Sequence, residues 1–209
     1  ALSRQGGLRR QMDVLANNLA NMNTSGFKSE KMMFVEHLVK SKDSNSLLGQ
    51  KNAYVRDIAT RRDFSEGSLE LTNNPLDFGI SGDGFFKIQT QFGIQYSRNG
   101  HFQLDQDGQL VTESGDPVLA DGDSPIFFAP GDTKIVVARD GTISTQNGEL
   151  GKLAVVSFEN PQKLRPGDSG LFRSKGEATP VESPDIHQGM LEGSNVQPII
   201  EMSYMIGVH

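Results

Sequence analysis

The chain has 209 residues and a formal net charge of -6, with a mean hydropathy of -0.42. No run approaches the roughly 18–20 apolar residues of a membrane-spanning helix, so membrane insertion is not expected. Cysteine is absent, which excludes disulfides, thiol nucleophiles and thiolate metal sites. The acidic balance without a basic run argues against nucleic-acid binding.

The first ten residues, ALSRQGGLRR, lack the apolar segment of a cleavable secretory signal. The sequence opens with Ala1 and not with Met, so we expect it to lack its true start.

Residues 2–22 are predicted to form a helix. Apolar residues recur there at spacings of four, three, four and three, which places them on one narrow stripe typical of a helix that packs on a partner helix. The stripe consists of Leu8, Met12, Leu15, Leu19 and Met22.

The same helix contains Asn17, Asn18 and Asn21, although asparagine is a poor helix former. Their amides either donate hydrogen bonds to a neighbouring subunit or are simply solvated on a fraying helix. The run from Asn23 to Gly26 ends the helix, because Asn and Gly accept the left-handed conformation at a helix C-terminus.

Two further segments precede the central region. A second amphipathic stretch containing Met32, Met33, Phe34 and Leu38 is predicted as a short helix or an extended arm. Residues 40–51 are polar and aperiodic, which predicts a mobile loop.

Turn dipeptides and short β-prone runs alternate from residue 53 to residue 186, which predicts an antiparallel, mostly β domain. Asn-Gly and Asp-Gly are strong hairpin signals because tight hairpin turns need positive φ angles. The dipeptides are Asn99-Gly100, Asp107-Gly108, Asp140-Gly141 and Asn147-Gly148.

The last segment is predicted to be helical again, with Val196, Ile199, Met202 and Ile206 on a second apolar stripe. Either stripe can close onto the β domain as ordinary core, but the heptad spacing favours a partner helix. The sequence therefore predicts a mainly β fold, in which an antiparallel β domain (53–186) follows a linker (39–52). N-terminal (1–38) and C-terminal (187–209) α-helices flank it and pair as a coiled-coil-like stem.

Four short motifs resemble sites of chemistry, but each fits a structural turn better. Gly167–Gly170 lacks the surroundings of a serine-protease nucleophile, although a hydrolase would use Ser169. Ser25–Lys28 lacks the companion motifs of a Ser-x-x-Lys enzyme. Gln103–Ser114 lacks the first and last ligands of a calcium loop, and Ser81–Gly84 lacks the Lys-Ser/Thr of a phosphate loop. No catalytic residue, cofactor or metal site is predicted.

Several ordered segments resemble the bacterial flagellar rod and hook protein family. The N-terminal signature is matched by Met12–Asn21 with Thr24–Lys28, and the C-terminal signature by Leu191–Val196. Between them, Asn74–Asp77, Ile80–Phe86 and Asp105–Val111 resemble the entry and next hairpin of the family's β domain.

Within that family, the motifs and the compact length most resemble the proximal rod subunits. Distal rod subunits, or hook-type axial subunits, are the alternative, but their C-terminal signature usually has acidic residues where Gln197 and Ile200 stand here. A secreted β-rich binding module is the alternative outside the family, although it leaves both helices without a role.

The resemblance implies a structural, non-enzymatic subunit of the basal-body rod that spans the periplasm. It implies export through the flagellar type III apparatus and assembly with other proximal and distal rod subunits, with the terminal helices as the contact. The predicted assembly residues are Leu8, Met12, Leu15, Asn17, Asn18, Leu19, Asn21, Met22, Val196, Ile199, Met202 and Ile206.

Overall fold

The structure is a computed structural model that describes residues 2–39 and 52–207. Two helices, α1 (Leu2–Ala20) and α2 (Pro198–Gly207), lie at the two ends of the described chain. The loop predicted at residues 40–51 lies outside the described residues. The strands are β1 (Glu30–Val39), β2 (Asn52–Arg62), β3 (Leu69–Leu71), β4 (Phe78–Ser81), β5 (Phe85–Thr90), β6 (Gly93–Ser97), β7 (Phe102–Leu104), β8 (Leu110–Thr112), β9 (Val136–Val137), β10 (Thr142–Thr145), β11 (Gly148–Lys152), β12 (Val155–Ser157), β13 (Arg165–Pro166), β14 (Phe172–Arg173), β15 (Thr179–Pro180), β16 (Asp185–Gln188) and β17 (Met190–Glu192).

The chain divides into two compact units. The terminal unit comprises the described residues within Ala1–Met22, Ser29–Asp63 and Val196–His209. The central unit comprises Asn23–Lys28 and Phe64–Asn195. The short segment Asn23–Lys28 thus belongs with a body of chain that begins some forty residues later.

The terminal unit combines both helices with one long hairpin. β1 pairs with β2 in antiparallel register, with a register shift between Val35 and Glu36. α1 contacts both β1 and α2. Of the two conformations predicted for the second amphipathic stretch, the extended one is confirmed, because that stretch lies in β1.

The central unit is built from antiparallel strands. Its largest sheet has six strands in the order β13-β14-β6-β5-β12-β15, and a second sheet has the order β11-β10-β9. Three further pairs are β7-β8, β16-β4 and β17-β3. In the last two pairs, the C-terminal strands β16 and β17 pair with the early strands β4 and β3. The beginning and the end of the long segment of this unit therefore lie side by side.

Two apolar cores hold the central unit together. The larger core includes Phe78, Phe86, Ile88, Leu110 and Ile143, all at most 1% exposed. The smaller core is aromatic and consists of Phe85, Val156, Leu164 and Phe172, with Phe64, Tyr96, Phe158 and Ala178 packed against it. Its rings meet edge to face at centroid distances from 4.8 to 6.0 Å, the geometry that the ring quadrupole favours.

Three of the four predicted hairpin turns are confirmed. Gly108, Gly141 and Gly148 have φ angles of 78°, 90° and 124° and lie between strands that pair with each other. The prediction at Asn99-Gly100 was wrong, because β6 and β7 lie in different sheets. Gly100 is needed there for a different reason: a Cβ atom at this position would overlap the carbonyl oxygen of Phe78.

The predicted mainly β architecture with one helix near each end is confirmed. Strands also occur in the ranges predicted as helical stems, since β1, β16 and β17 extend into them. The local reason is a paired partner strand for each segment, which the apolar spacing alone does not reveal. Among the described residues, neither helix has the length and apolar character that crossing a bilayer requires.

Candidate assembly site

The predicted stripe of α1 is graded in exposure. Leu15 is buried within the terminal unit, whereas Leu8, Met12 and Leu19 are half-buried and Met22 is 39% exposed. The middle of the stripe is therefore used inside the chain, and its C-terminal end remains accessible.

Asn18 is a fully buried residue of α1, and its amide is saturated by partners in the terminal unit. Nδ2 donates to the Glu30 carbonyl oxygen at 2.8 Å and to Glu201 Oε1 at 3.2 Å. Oδ1 accepts from the Glu30 backbone N–H at 2.9 Å. A single side chain thus ties α1 to both the first strand and the last helix, which explains an asparagine in mid-helix.

Asn17 and Asn21, the other two asparagines of the predicted helix, differ from Asn18 in exposure and bonding. Asn17 is exposed, and Asn21 Nδ2 donates to the Asn17 carbonyl oxygen at 2.9 Å. The Asn17 carbonyl oxygen also accepts from the Asn21 backbone N–H at 3.2 Å, so Asn21 closes the end of α1 with both its backbone and its side chain. Asn17 therefore keeps its side chain available to a neighbour, and Asn18 does not.

We expect Asn18→Asp to destabilise the terminal unit by about 1–3 kcal/mol, because it removes the donor group and places a carboxylate beside Glu201. Hydrogen exchange at the amides of α1 checks this. The matched control is Asn17→Asp, one residue away and exposed, which should leave protection unchanged. Equal effects of the two changes would show that the Asn18 bridge contributes nothing.

α2 presents its apolar residues to solvent. Ile199 is 80% exposed and Ile206 is 76% exposed, and Met202 on the same face is 46% exposed. Ile200 and Tyr204 add further exposed apolar surface at 45% and 60%. Val196, the remaining predicted residue of this stripe, precedes the helix and is buried.

The inward face of α2 carries a charge. Glu201 is 8% exposed and accepts the hydrogen bond from Asn18 described above. A water-facing helix normally buries its apolar face and exposes its charges. α2 has the reverse polarity in this chain, which leaves its outward apolar face uncovered.

A buried ion cluster in the central unit joins the two signature segments of the sequence. Lys28 Nζ lies 2.6 Å from Glu192 Oε1, and Arg98 Nε lies 2.6 Å from Glu192 Oε2. Glu192 also accepts from the Gly67 backbone N–H at 2.8 Å. The exposed fraction of each charged side chain is 4% or less, so the cluster is shielded from water.

Carbonyl groups complete the coordination of the two cations. Arg98 donates to the carbonyl oxygens of Gly82, Gly84 and Ile80 at 2.8, 2.7 and 3.1 Å. Lys28 Nζ donates to the Ser65 carbonyl oxygen at 2.7 Å. Such saturation is what allows a buried charge cluster to persist, because an unpaired buried charge is costly.

The cluster shifts the pKa values of its members. Burial lowers the pKa of Lys28, although the charge of Glu192 opposes the shift. Burial on its own raises the pKa of Glu192, but the hydrogen bond and charge of Arg98, together with Lys28, outweigh it and hold that pKa below its usual value. The lowered pKa of Glu192 favours its carboxylate form, and that carboxylate in turn favours the charged form of Lys28.

Gly26 fits against the cluster with no room for a side chain. Its φ angle is +69°, and a Cβ atom would lie 2.5 Å from both the Arg98 carbonyl carbon and the Asn99 nitrogen. The Gly26 N–H donates to the Glu192 carbonyl oxygen at 2.7 Å. The glycine that was predicted to end α1 is thus also required by a long-range contact.

The motifs that resembled catalytic or ligand loops are turns in the structure. Asp105 Oδ1 accepts from the N–H groups of Asp107 and Gln109, which closes the β7–β8 turn. Residues Asp168–Gly170 form a short 3-10 turn, in which Ser169 has a φ angle of 56°. The carbonyls of Gly82 and Gly84 face the Arg98 cation and not an anion.

Lys28 and Glu192 lie in two of the motifs recognised in the sequence, but their pairing was not predicted. Arg98 and Glu201 were not predicted as functional residues. Their signal is faint: opposite charges in the two terminal motifs, and one acid inside an otherwise apolar C-terminal helix.

Two family models match the chain. The flagellar hook protein FlgE/F/G D1 domain matches residues 79–145, and the flagella basal body rod protein model matches residues 1–28. A flagellar basal-body rod protein FlgF of Caulobacter vibrioides is 38% identical, over 99% of this chain and 85% of its own length. The chain belongs to the flagellar basal-body rod protein family.

Other flagellar rod proteins are similar to comparable extents. FlgF of Mesorhizobium japonicum is 34% identical over 100% of this chain and 85% of its own length. FlgG of Buchnera aphidicola subsp. Acyrthosiphon pisum is 34% identical over 93% of this chain and 83% of its own length. The predicted structural role in the flagellar rod and the location in the basal body are confirmed at this level.

Proposed function

We propose that the chain is a proximal-rod subunit, structural and not catalytic, that assembles with other rod subunits through its terminal helices. Delivery through the flagellar type III export apparatus and a position across the periplasm are parts of this proposal. The observation that carries it is the outward apolar face of α2, with Ile199 and Ile206 about four-fifths and three-quarters exposed.

This face has the energetic properties of a subunit contact. Covering a large aliphatic side chain removes it from water and contributes roughly 1.5–3 kcal/mol when the burial is complete. α2 has only ten residues, and isolated helices of that length are marginal in water. A neighbour that covers Ile199, Met202 and Ile206 therefore stabilises the helix and the contact together.

The accessible part of α1 extends the same surface. Leu8, Met12 and Leu19 are half-buried and Met22 is exposed, so a neighbour has apolar area to cover on this helix as well. We infer that the two helices form a coiled-coil-like stem on assembly, with Asn17 at its polar edge. Leu15 and Asn18 support the stem from inside their own chain.

A distal-rod role is the second candidate, because FlgG proteins are also similar to this chain. Gln197 and Ile200 favour the proximal role, since distal rod subunits usually carry acidic residues at these places. Complementation distinguishes the two: restored swimming in a strain lacking FlgF supports the proximal role, and restoration only in a strain lacking FlgG overturns it.

The double change Ile199→Asp/Ile206→Asp should abolish rod assembly and motility, because two carboxylates would have to be buried in the contact. The thermal unfolding of the purified chain should not change, since both side chains are exposed in it. Leu15→Asp is a poorer test, because Leu15 is buried and its loss would also disturb the terminal unit.

Leu71→Asp is the matched control, since Leu71 is a 65% exposed apolar residue of β3 in the central unit. It should leave assembly intact. Normal swimming by the α2 double variant, at normal protein levels, would rule out the proposed contact.

A further inference from the structure

One edge of the six-stranded sheet carries two arginines that face each other. Arg165 of β13 and Arg173 of β14 are direct partners in the antiparallel register, and both are exposed. Phe172 is buried, so Arg173, as its neighbour in the strand, points to the opposite, outer face. Like charges directly opposite each other weaken a strand pair, so this arrangement does not serve the stability of the isolated chain.

The residues around this pair form a basic surface with an aromatic centre. The Arg173 guanidinium carbon lies 5.3 Å from the centroid of the Phe92 ring, and Phe92 is 68% exposed. Lys163 and Lys175 flank the two strands and are exposed. Asp168 Oδ2 lies 3.8 Å from Arg173 Nη2 and offsets one of the four positive charges, so this surface keeps a positive excess.

A complementary surface exists on the same unit. Every charged residue from position 105 to position 133 is acidic, and these residues lie mainly in the successive turns after β7. Asp105, Asp107 and Asp121 are exposed there, in the β7–β8 turn and the turn at residues 120–124, which the antiparallel pairings place at the same end of β8. We call this group the acidic turns, and the group of Lys163, Arg165, Arg173, Lys175 and Phe92 the basic edge.

We propose that the basic edge of one subunit docks on the acidic turns of a second copy of this chain. The two surfaces consist of different residues, so the contact is head-to-tail, and repetition of such a contact builds an open filament and not a closed dimer. The inference rests on the proposed function only in expecting that copies of this chain meet. It assigns to the central unit a contact separate from that of the terminal helices.

The single change Arg165→Glu separates a docking role from a structural one. In the isolated chain it converts a repulsive cross-strand pair into an attractive one, so the thermal unfolding midpoint should rise. Self-association of the full chain, measured by sedimentation velocity at low salt, should weaken by on the order of tenfold. An unchanged association, or a fall in the unfolding midpoint, overturns the proposal.

Two variants with reversed charges on the two surfaces test whether the basic edge binds the acidic turns of a second copy. The variant Arg165→Glu/Arg173→Glu should not self-associate, but it should bind the variant Asp107→Lys/Asp121→Lys when the two are mixed. The control Lys134→Glu/Arg139→Glu makes the same change in net charge at two exposed residues outside the basic edge. It should associate like the unaltered chain, and failure of the mixed pair to bind refutes the assignment.

Two further measurements keep this contact distinct from that of α2. High salt should weaken association of the unaltered chain, since exposed charges are screened within about 10 Å at 0.1 M. The variant Ile199→Asp/Ile206→Asp should retain this salt-sensitive association. Its complete loss in that variant, or salt-independent association of the unaltered chain, contradicts a separate basic-edge contact.

Discussion

Replacing Glu192 with leucine should lower the free energy of unfolding of the central unit by about 3–5 kcal/mol. The change leaves Lys28 and Arg98 buried and unpaired, and removing one partner from a buried ion pair costs about this much. Leucine is close to glutamate in size, so an effect of this magnitude reports the lost charge and not a cavity. Urea unfolding followed by near-ultraviolet circular dichroism measures it.

Glu192→Gln is the matched control, because its amide oxygen can still accept from Lys28 and Gly67, although its NH2 group replaces the oxygen that accepts from Arg98. Its destabilisation should be smaller than that of Glu192→Leu. The pKa of Glu192 is lowered in the folded chain, so its contribution is complete above the unfolded pKa of about 4.3 and disappears as the pH falls through the folded value. Glu192→Leu should lack that part of the acid dependence, and an identical acid profile would contradict the role given to the cluster.

Gly26→Ala should destabilise the central unit by about 2–4 kcal/mol. Its φ angle of +69° is strained for any residue with a Cβ atom, and that atom would lie 2.5 Å from backbone atoms of Arg98 and Asn99. Relief of this overlap requires a shift of the backbone at Arg98, whose side chain is bonded to Glu192. Urea unfolding followed by near-ultraviolet circular dichroism measures the combined loss of stability from backbone strain and from the disturbed ion cluster.

Gly115→Ala separates strain from crowding. Gly115 has a φ angle of +85° but nothing within 4 Å of its Cβ position, so only the backbone strain of about 1–2 kcal/mol applies. If Gly26→Ala and Gly115→Ala lower the free energy of unfolding equally, the close approach of Gly26 to Arg98 does not contribute to stability.

Local patterns predicted much of this fold. The stripe in residues 8–22 predicted α1, and positive-φ dipeptides predicted three hairpins, because both depend on neighbours within a few residues. The dipeptide signal failed at Asn99-Gly100, because this glycine is required by the close approach of the Phe78 carbonyl oxygen, which belongs to another strand. Which role a glycine plays is decided by tertiary contact, and the dipeptide does not contain that information.

The site was predictable in type but not in detail. Apolar spacing predicted the helices as contact elements, but it does not say which positions each chain buries for itself. Asn18 and Asn17 look equivalent in the sequence, yet the first is fully buried and the second exposed. The predicted assembly residues, those of α2 included, and the predicted domain boundaries remain predictions.

The Lys28–Glu192 pair joins residues that are 164 positions apart in the chain. If the chain is exported N-terminus first, as proposed above, Lys28 emerges long before Glu192, and the cluster cannot close until β17 has followed. Contacts of such high sequence separation form late and slowly. Under the proposed export, completion of the central unit would therefore wait for β17, the last strand before α2.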